Sequence, residues 1–108
     1  THYAVALKYE THRGAPRVVA RGVDEIALAI RERARAHRVA RLEAPPLARA
    51  LYHTTRLDQE IPPALYLAVA QVLAWVYRLR AAAADGNPAP ERPGDLPVPP
   101  SLDPKNAP

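Results

Sequence analysis

The side chains that could act in catalysis or bind a metal are the histidines and the hydroxyl-bearing residues, because the sequence contains no cysteine. The spacing of the histidines matches no metal-binding motif, so the sequence predicts no metal site and no cofactor. Thr54 and Thr55 follow His53, yet the sequence offers no obvious acidic residue to orient that imidazole for nucleophilic catalysis. We therefore do not expect turnover of a separate substrate. The histidines are His2, His12, His37 and His53.

A run of arginines between positions 31 and 38 is the most strongly charged feature of a chain whose formal net charge is +4. Arginine binds phosphate groups well, so the run could contact nucleic acid. However, Glu32 interrupts it, and no aromatic side chain is interleaved to stack on bases. The solvated face of an amphipathic helix is the simpler interpretation. A small basic nucleic-acid-binding α/β protein is kept as the alternative function.

Proline divides the chain into two parts. Eight of the thirteen prolines lie in residues 85–108, and this part is acidic while residues 1–84 are basic. Because proline fixes φ and removes a backbone donor, we predict a folded domain over 1–84 and a flexible, disordered Pro-rich tail over 85–108. No uninterrupted apolar stretch reaches the roughly 20 residues that a bilayer span needs, so the chain alone is expected to be soluble.

Hydrophobic periodicity predicts an α/β fold with a small mixed sheet. Apolar and small residues alternate from Tyr3 to Tyr9, as in a strand with one apolar face. Turn residues then lead to a second strand at Arg17–Ala20, and the two could pair as a hairpin. Val39–Glu43 is the candidate third strand. A narrow sheet that starts this near the first residue suggests a fourth strand from an upstream polypeptide.

About three helices are predicted around this sheet. After Gly22, apolar residues recur at helical spacing, with acidic residues in the first turn and basic residues in the last. A brief helix opens at the proline pair Pro45 and Pro46, and a long one runs from about Pro62 to Arg80.

The long helix carries two adjacent apolar rows. One small sheet has limited area to cover both rows. Burial of both in the core is the simpler interpretation; in the alternative, the second row reaches a surface groove that binds an apolar partner. The first row is Leu65, Val69, Val72, Val76 and Leu79, and the second is Tyr66, Ala70, Leu73 and Tyr77.

Five segments together closely resemble the C-terminal cytoplasmic domain of the FlhB/YscU family of type III export-switch proteins. They are THYAVALKY, GAPRVVARG, VDEIALAIRERA, APPLARALY and IPPALYLAVAQVLAWVY. The resemblance covers about residues 1–80. The segments GAPRVVARG and VDEIALAIRE are more similar to the flagellar branch of the family than to its injectisome branch. The sequence departs from the family at Ala44, where Asn is usual before PPLAR, and at residues 37–40, which replace a glycine-bearing turn.

The resemblance implies that the chain is part of a self-cleaving precursor. Family members cut themselves between the Asn and Pro of an Asn-Pro-Thr-His motif, and Thr1 and His2 look like its last two residues. The Asn and Pro are absent from the chain. Intramolecular self-cleavage is thus the one reaction implied, with Thr1 and His2 shaping the turn. The upstream membrane-embedded fragment would stay bound and supply the fourth strand.

The resemblance also implies a docking site for the rod and hook subunits that are exported early. By position its members are Ala15 and Pro16 before the second strand and Ala70 and Leu73 on the long helix. Such a domain lies on the cytoplasmic side of the bacterial inner membrane and changes export from rod and hook to filament subunits. Its expected partners are the hook-length control protein and components of the export gate and export ATPase; nucleic acid is not expected.

Overall fold

Two strands and three α-helices follow one another in the computed structural model, which describes residues 2–12 and 14–104. The strands are β1 (Tyr3–Lys8) and β2 (Arg17–Val23). The helices are α1 (Asp24–Ala36), α2 (Pro45–Thr54) and α3 (Tyr66–Ala84), and short 3₁₀ turns occupy Pro63–Leu65 and Pro100–Leu102. The α/β class is therefore confirmed.

The sheet of the described residues is a two-stranded antiparallel hairpin, so the predicted mixed sheet with a third strand is wrong. Residues 39–44 carry no regular secondary structure, and Val39 is 53% exposed. Backbone N–H and C=O groups stabilise a strand only when a neighbouring strand pairs with them. Within the described residues nothing forms a ladder with Val39–Glu43, although its residue types suit a strand.

Helix α1 packs on one face of the hairpin and contacts both strands. Gly22 lies opposite Ala4 in the ladder, and a Cβ on Gly22 would overlap the side chain of Ile26. Ala4 and Ala27 are both buried. The small residues on this face therefore let the helix approach the sheet closely.

The main core lies on the other face of the hairpin. Because successive side chains of a strand point to opposite faces, Val5 and Leu7 point away from the face of Ala4, and both pack against this core. Each large apolar side chain buried there contributes roughly 1.5–3 kcal/mol. The core consists of Val18, Leu47, Ala50, Leu51, Ile61, Leu65, Ala68 and Val69, which join β2 to α2 and α3.

The Pro-rich segment lies against the folded body. No helix or strand forms between residues 88 and 99, as proline predicts, but Leu96, Val98 and Leu102 pack against the core. The buried Asp103 carboxylate accepts hydrogen bonds from Arg49 Nε at 2.7 Å and Nη2 at 3.0 Å. The expectation of disorder is therefore wrong for residues 96–103. The domain boundary between 84 and 85 stays a prediction.

The helical stretch Pro63–Ala84 is long and apolar enough, by length and composition, to cross a membrane. The sequence predicted no span because no uninterrupted apolar stretch reaches roughly 20 residues. Part of this helix is buried in the protein, where Val69 and Trp75 are almost inaccessible to solvent. About 17% of its apolar window is buried inside the domain, and a core helix of a globular protein meets the same criteria of length and composition.

Candidate docking groove

The two apolar rows of α3 lie in different environments. Leu65 and Val69 of the first row are fully buried in the core. Tyr66 and Tyr77 of the second row are 45% and 57% exposed, and Leu73 between them is half-buried. The alternative interpretation, in which the second row reaches the surface, therefore describes the structure.

Backbone hydrogen bonds hold the loop before β2 against the start of α3. The Ile61 N–H donates to the Pro16 carbonyl at 2.9 Å, and the Val18 N–H donates to the Gln59 carbonyl at 3.0 Å. Gly14 opens the loop with a φ of +84°, a conformation that favours glycine. These bonds pair the edge of β2 that does not face β1 with the segment ahead of α3. The loop before β2 therefore has a defined position.

An apolar groove of about 620 Å³ opens between this loop and α3. All four residues predicted from the resemblance line it: Ala15, Pro16, Ala70 and Leu73. We call this feature the docking groove. The structure thus brings together two residues of a loop and two residues of a helix that are far apart in the sequence.

The docking groove suits a short apolar segment of another protein. None of the described side chains that line it is charged, so an apolar partner would not have to desolvate an ion of residues 2–12 or 14–104. Ala15 and Ala70 keep the groove shallow, and Leu73 offers a branched apolar contact. Burying one leucine-sized side chain of a partner here would contribute roughly 1.5–3 kcal/mol.

Three tyrosines of the docking groove were not singled out as site residues. Tyr9, Tyr66 and Tyr77 line it together with the four predicted residues, and each is partly exposed. Tyrosine is common at interfaces because its ring is apolar and its hydroxyl can form a hydrogen bond. Tyr66 and Tyr77 belong to the second row of α3, so the row pattern contained the signal that could have identified them.

The two residues predicted to take part in self-cleavage are the first two of the sequence. Thr1 is outside the described residues. His2 is exposed, and its backbone is tied to the first residue of α1: its N–H donates to Asp24 Oδ1 at 3.2 Å, and the Asp24 N–H donates to the His2 carbonyl at 2.8 Å. Asp24 has a φ of +49°, which is uncommon without glycine. Sequence reasoning saw Asp24 only as an acidic residue of the first helical turn.

His53 belongs to an aromatic cluster between the hairpin and α2. Its Nε2 lies 3.3 Å from the Tyr3 hydroxyl, and the Arg21 guanidinium carbon lies 4.0 Å from the ring centroid of Tyr52. Within residues 2–12 and 14–104, no three potential metal ligands converge around this histidine or elsewhere. The cluster fastens α2 to the strands.

The fold is that of a small α/β domain with an open apolar groove between a loop and its longest helix. The chain belongs to the FlhB HrpN YscU SpaS family, whose model matches residues 1–76. The resemblance seen in the sequence is therefore confirmed.

Individual relatives agree with this assignment. Over 104 residues the chain is 54% identical to the flagellar biosynthetic protein FlhB of Yersinia enterocolitica, an alignment that includes 95% of this chain and 27% of that relative. Its structure is similar to the cytoplasmic domain of FlhB from Shewanella putrefaciens, with a TM-score of 0.86 and 52% identity over 94% of this chain and 81% of that one. The PscU C-terminal domain follows, with a TM-score of 0.68 and 36% identity over 70% and 98%. The chain thus corresponds to the C-terminal cytoplasmic domain of the family and spans about a quarter of its curated relatives.

Proposed function

We propose that this domain is a substrate-docking component of the flagellar type III export apparatus and that rod and hook subunits bind in its docking groove. One observation carries the proposal: four residues implied by the family resemblance, from two separate segments, line a single uncharged groove. The high identity to a flagellar biosynthetic protein supports the flagellar setting.

In the same proposal, the domain changes export preference from rod and hook to filament subunits after the precursor cuts itself upstream of Thr1. The reciprocal hydrogen bonds between His2 and Asp24 support this role, because they would hold the start of β1 in place when the covalent link ahead of it is broken. The other partners would be the hook-length control protein and the components of the export gate and ATPase.

The upstream membrane-embedded fragment is the further partner in this proposal. β1 pairs with β2 on one edge only in the described sheet. Val39–Glu43 has the residue types of a strand, and no segment of residues 2–12 or 14–104 forms a ladder with it. A strand from the upstream fragment would give the sheet its missing hydrogen bonds and would protect the open edge.

Aspartate substitutions in the docking groove test the docking role. Leu73→Asp and Ala70→Asp each place a carboxylate in an uncharged groove, and Ala70 is exposed, so its variant keeps the core intact. The dissociation constants for purified rod and hook subunits are expected to rise about tenfold or more in calorimetric titrations.

A matched control adds the same charge to the same helix outside the groove. Leu67→Asp serves, because Leu67 is 61% exposed and does not line the groove. Its affinity should equal that of the unmodified domain. Unchanged binding by a folded Ala70→Asp variant would refute the docking groove as the binding site.

Self-cleavage is tested by the intact mass of the protein expressed from its gene with the upstream codons included. Two masses that split immediately before a Pro-Thr-His start are expected. A single uncut mass would contradict self-processing and would leave the docking proposal standing on its own test.

A further inference from the structure

Unpaired positive charge is concentrated in the second half of α1 and the residues that follow it. Glu32 and Glu43 are the acidic residues of residues 31–43. No side-chain ion pair or hydrogen bond joins the arginines of this stretch to any other residue in the described part of the chain. These exposed arginines are Arg31, Arg33, Arg35, Arg38 and Arg41.

One exposed face of α1 combines these charges with an aliphatic side chain. Leu28, Arg31 and Arg35 follow one another at intervals of three and four residues, so they lie on the same face of the helix. Leu28 is half exposed, whereas the neighbouring Ala27 is buried. We call Leu28, Arg31, Arg35, Arg38 and Val39 the basic surface.

Arg38 is a charged residue whose backbone conformation favours glycine. It has a φ of +56° immediately after the C-cap of α1. The Val39 N–H donates to the Ala34 carbonyl at 2.8 Å, which is the bond that closes a Schellman-type helix end. A side chain at this position carries a conformational cost that glycine would avoid, so the charge is present against the local backbone preference.

We propose that the basic surface binds the headgroups of acidic phospholipids. Arginines pair with headgroup phosphates, and exposed aliphatic side chains such as Leu28 and Val39 can enter the interfacial region of a bilayer. The chain corresponds to a cytoplasmic domain of its family, which would place it near such a surface. Lipid binding would orient the domain independently of the docking groove.

An acidic lipid surface fits these residues better than a nucleic acid does. The apolar members of the basic surface are aliphatic, and the sequence has no Phe, Tyr or Trp between residues 24 and 51. Binding of single strands relies on aromatic side chains that stack on bases. The same stretch therefore lacks the stacking side chains of a single-strand site, while it has both the arginines and the exposed aliphatic side chains of a lipid site.

Co-sedimentation of the 108-residue chain with vesicles tests the proposal. Vesicles of phosphatidylcholine and phosphatidylglycerol should bind it at low ionic strength and release it as salt is added, and vesicles of phosphatidylcholine alone should not. The double variant Arg31→Ser with Arg35→Ser should bind the acidic vesicles about tenfold more weakly or worse, since each arginine near such a surface contributes about fivefold.

The matched control removes the same charge elsewhere. Arg78→Ser with Arg80→Ser changes two exposed arginines of α3 and should alter binding by about twofold or less. Leu28→Ser should reduce the binding that remains at higher salt. Thermal unfolding of each variant confirms that it is folded.

Three results would overturn the proposal. Acidic vesicles could fail to bind the chain. The two double variants could lose binding equally, which would show that binding depends on the net charge of the chain and not on the basic surface. Duplex DNA could bind more tightly than the acidic vesicles at the same salt, in favour of a nucleic-acid ligand.

Discussion

At the residue scale, the smallest side chains decide how closely the layers approach. A Cβ on Gly22 would overlap the side chain of Ile26 in α1, and the partner of Gly22 across the ladder is Ala4. Neither strand propensity nor helix propensity explains a glycine inside β2, because glycine weakens strands. The close approach of α1 explains it.

Gly22→Ala is therefore expected to destabilise the domain. The added Cβ would overlap Ile26, and relieving that overlap shifts α1 or the strand at a cost of about 1–3 kcal/mol. Urea denaturation would show the loss as a lower midpoint.

Gly94 provides the matched control, because a Cβ there meets no atom within 4 Å. Gly94→Ala should change the free energy of unfolding by about 0.5 kcal/mol or less. Equal stability of the Gly22→Ala variant and the unmodified domain would show that α1 does not depend on this contact.

At the element scale, contacts with neighbouring segments decide whether a segment forms a strand and whether it packs against the core. Val39–Glu43 has the composition of a strand and is not one, since no described segment pairs with it. The Pro-rich segment has the composition of a flexible tail, yet Leu96 and Val98 pack against the core. Local composition describes the backbone preference of both segments and does not describe their neighbours.

The ion pair between Arg49 and Asp103 anchors this segment. Hydrogen bonding to Asp103 raises the pKa of Arg49 above its ordinary value. A basic group whose pKa is higher in the folded state stabilises the fold at every pH below its pKa in the unfolded state. This contribution is lost only as the pH rises through its pKa in the folded state. For arginine that window begins above about pH 12, so Arg49 stays charged throughout the neutral range.

Asp103→Asn removes one partner of this pair and is expected to lower the free energy of unfolding by about 1–3 kcal/mol, because Arg49 is left partly buried without its counter-charge. NMR order parameters of the Leu96 and Val98 amides should fall at the same time. Asp95→Asn is the control, since Asp95 is an exposed carboxylate of the same segment. If both variants behave alike, Asp103 does not anchor the segment.

At the scale of the whole molecule, the docking groove exists because two distant segments meet. The loop that contains Ala15 is bonded through Pro16 to Ile61, just ahead of α3, and this contact places it beside Ala70. Helix α1 occupies the other face of the hairpin, so the basic surface and the docking groove belong to different elements. The two surfaces that we propose for binding are therefore separate.

Much of this arrangement could be predicted from the sequence. The α/β class, the hairpin and all three helices follow from periodicities that depend on local backbone geometry. The second row of α3 already suggested an exposed apolar strip, and the family resemblance named Ala15, Pro16, Ala70 and Leu73.

Tertiary structure alone decided which segments touch. It left Val39–Glu43 without a ladder, fastened Asp103 to Arg49 and brought the loop of Ala15 against α3. Each of these results depends on pairing between residues far apart in the chain, and a periodic pattern contains no information about its partner. Local sequence therefore determined the elements and their apolar faces, while the packing of the chain determined which of those faces stayed exposed.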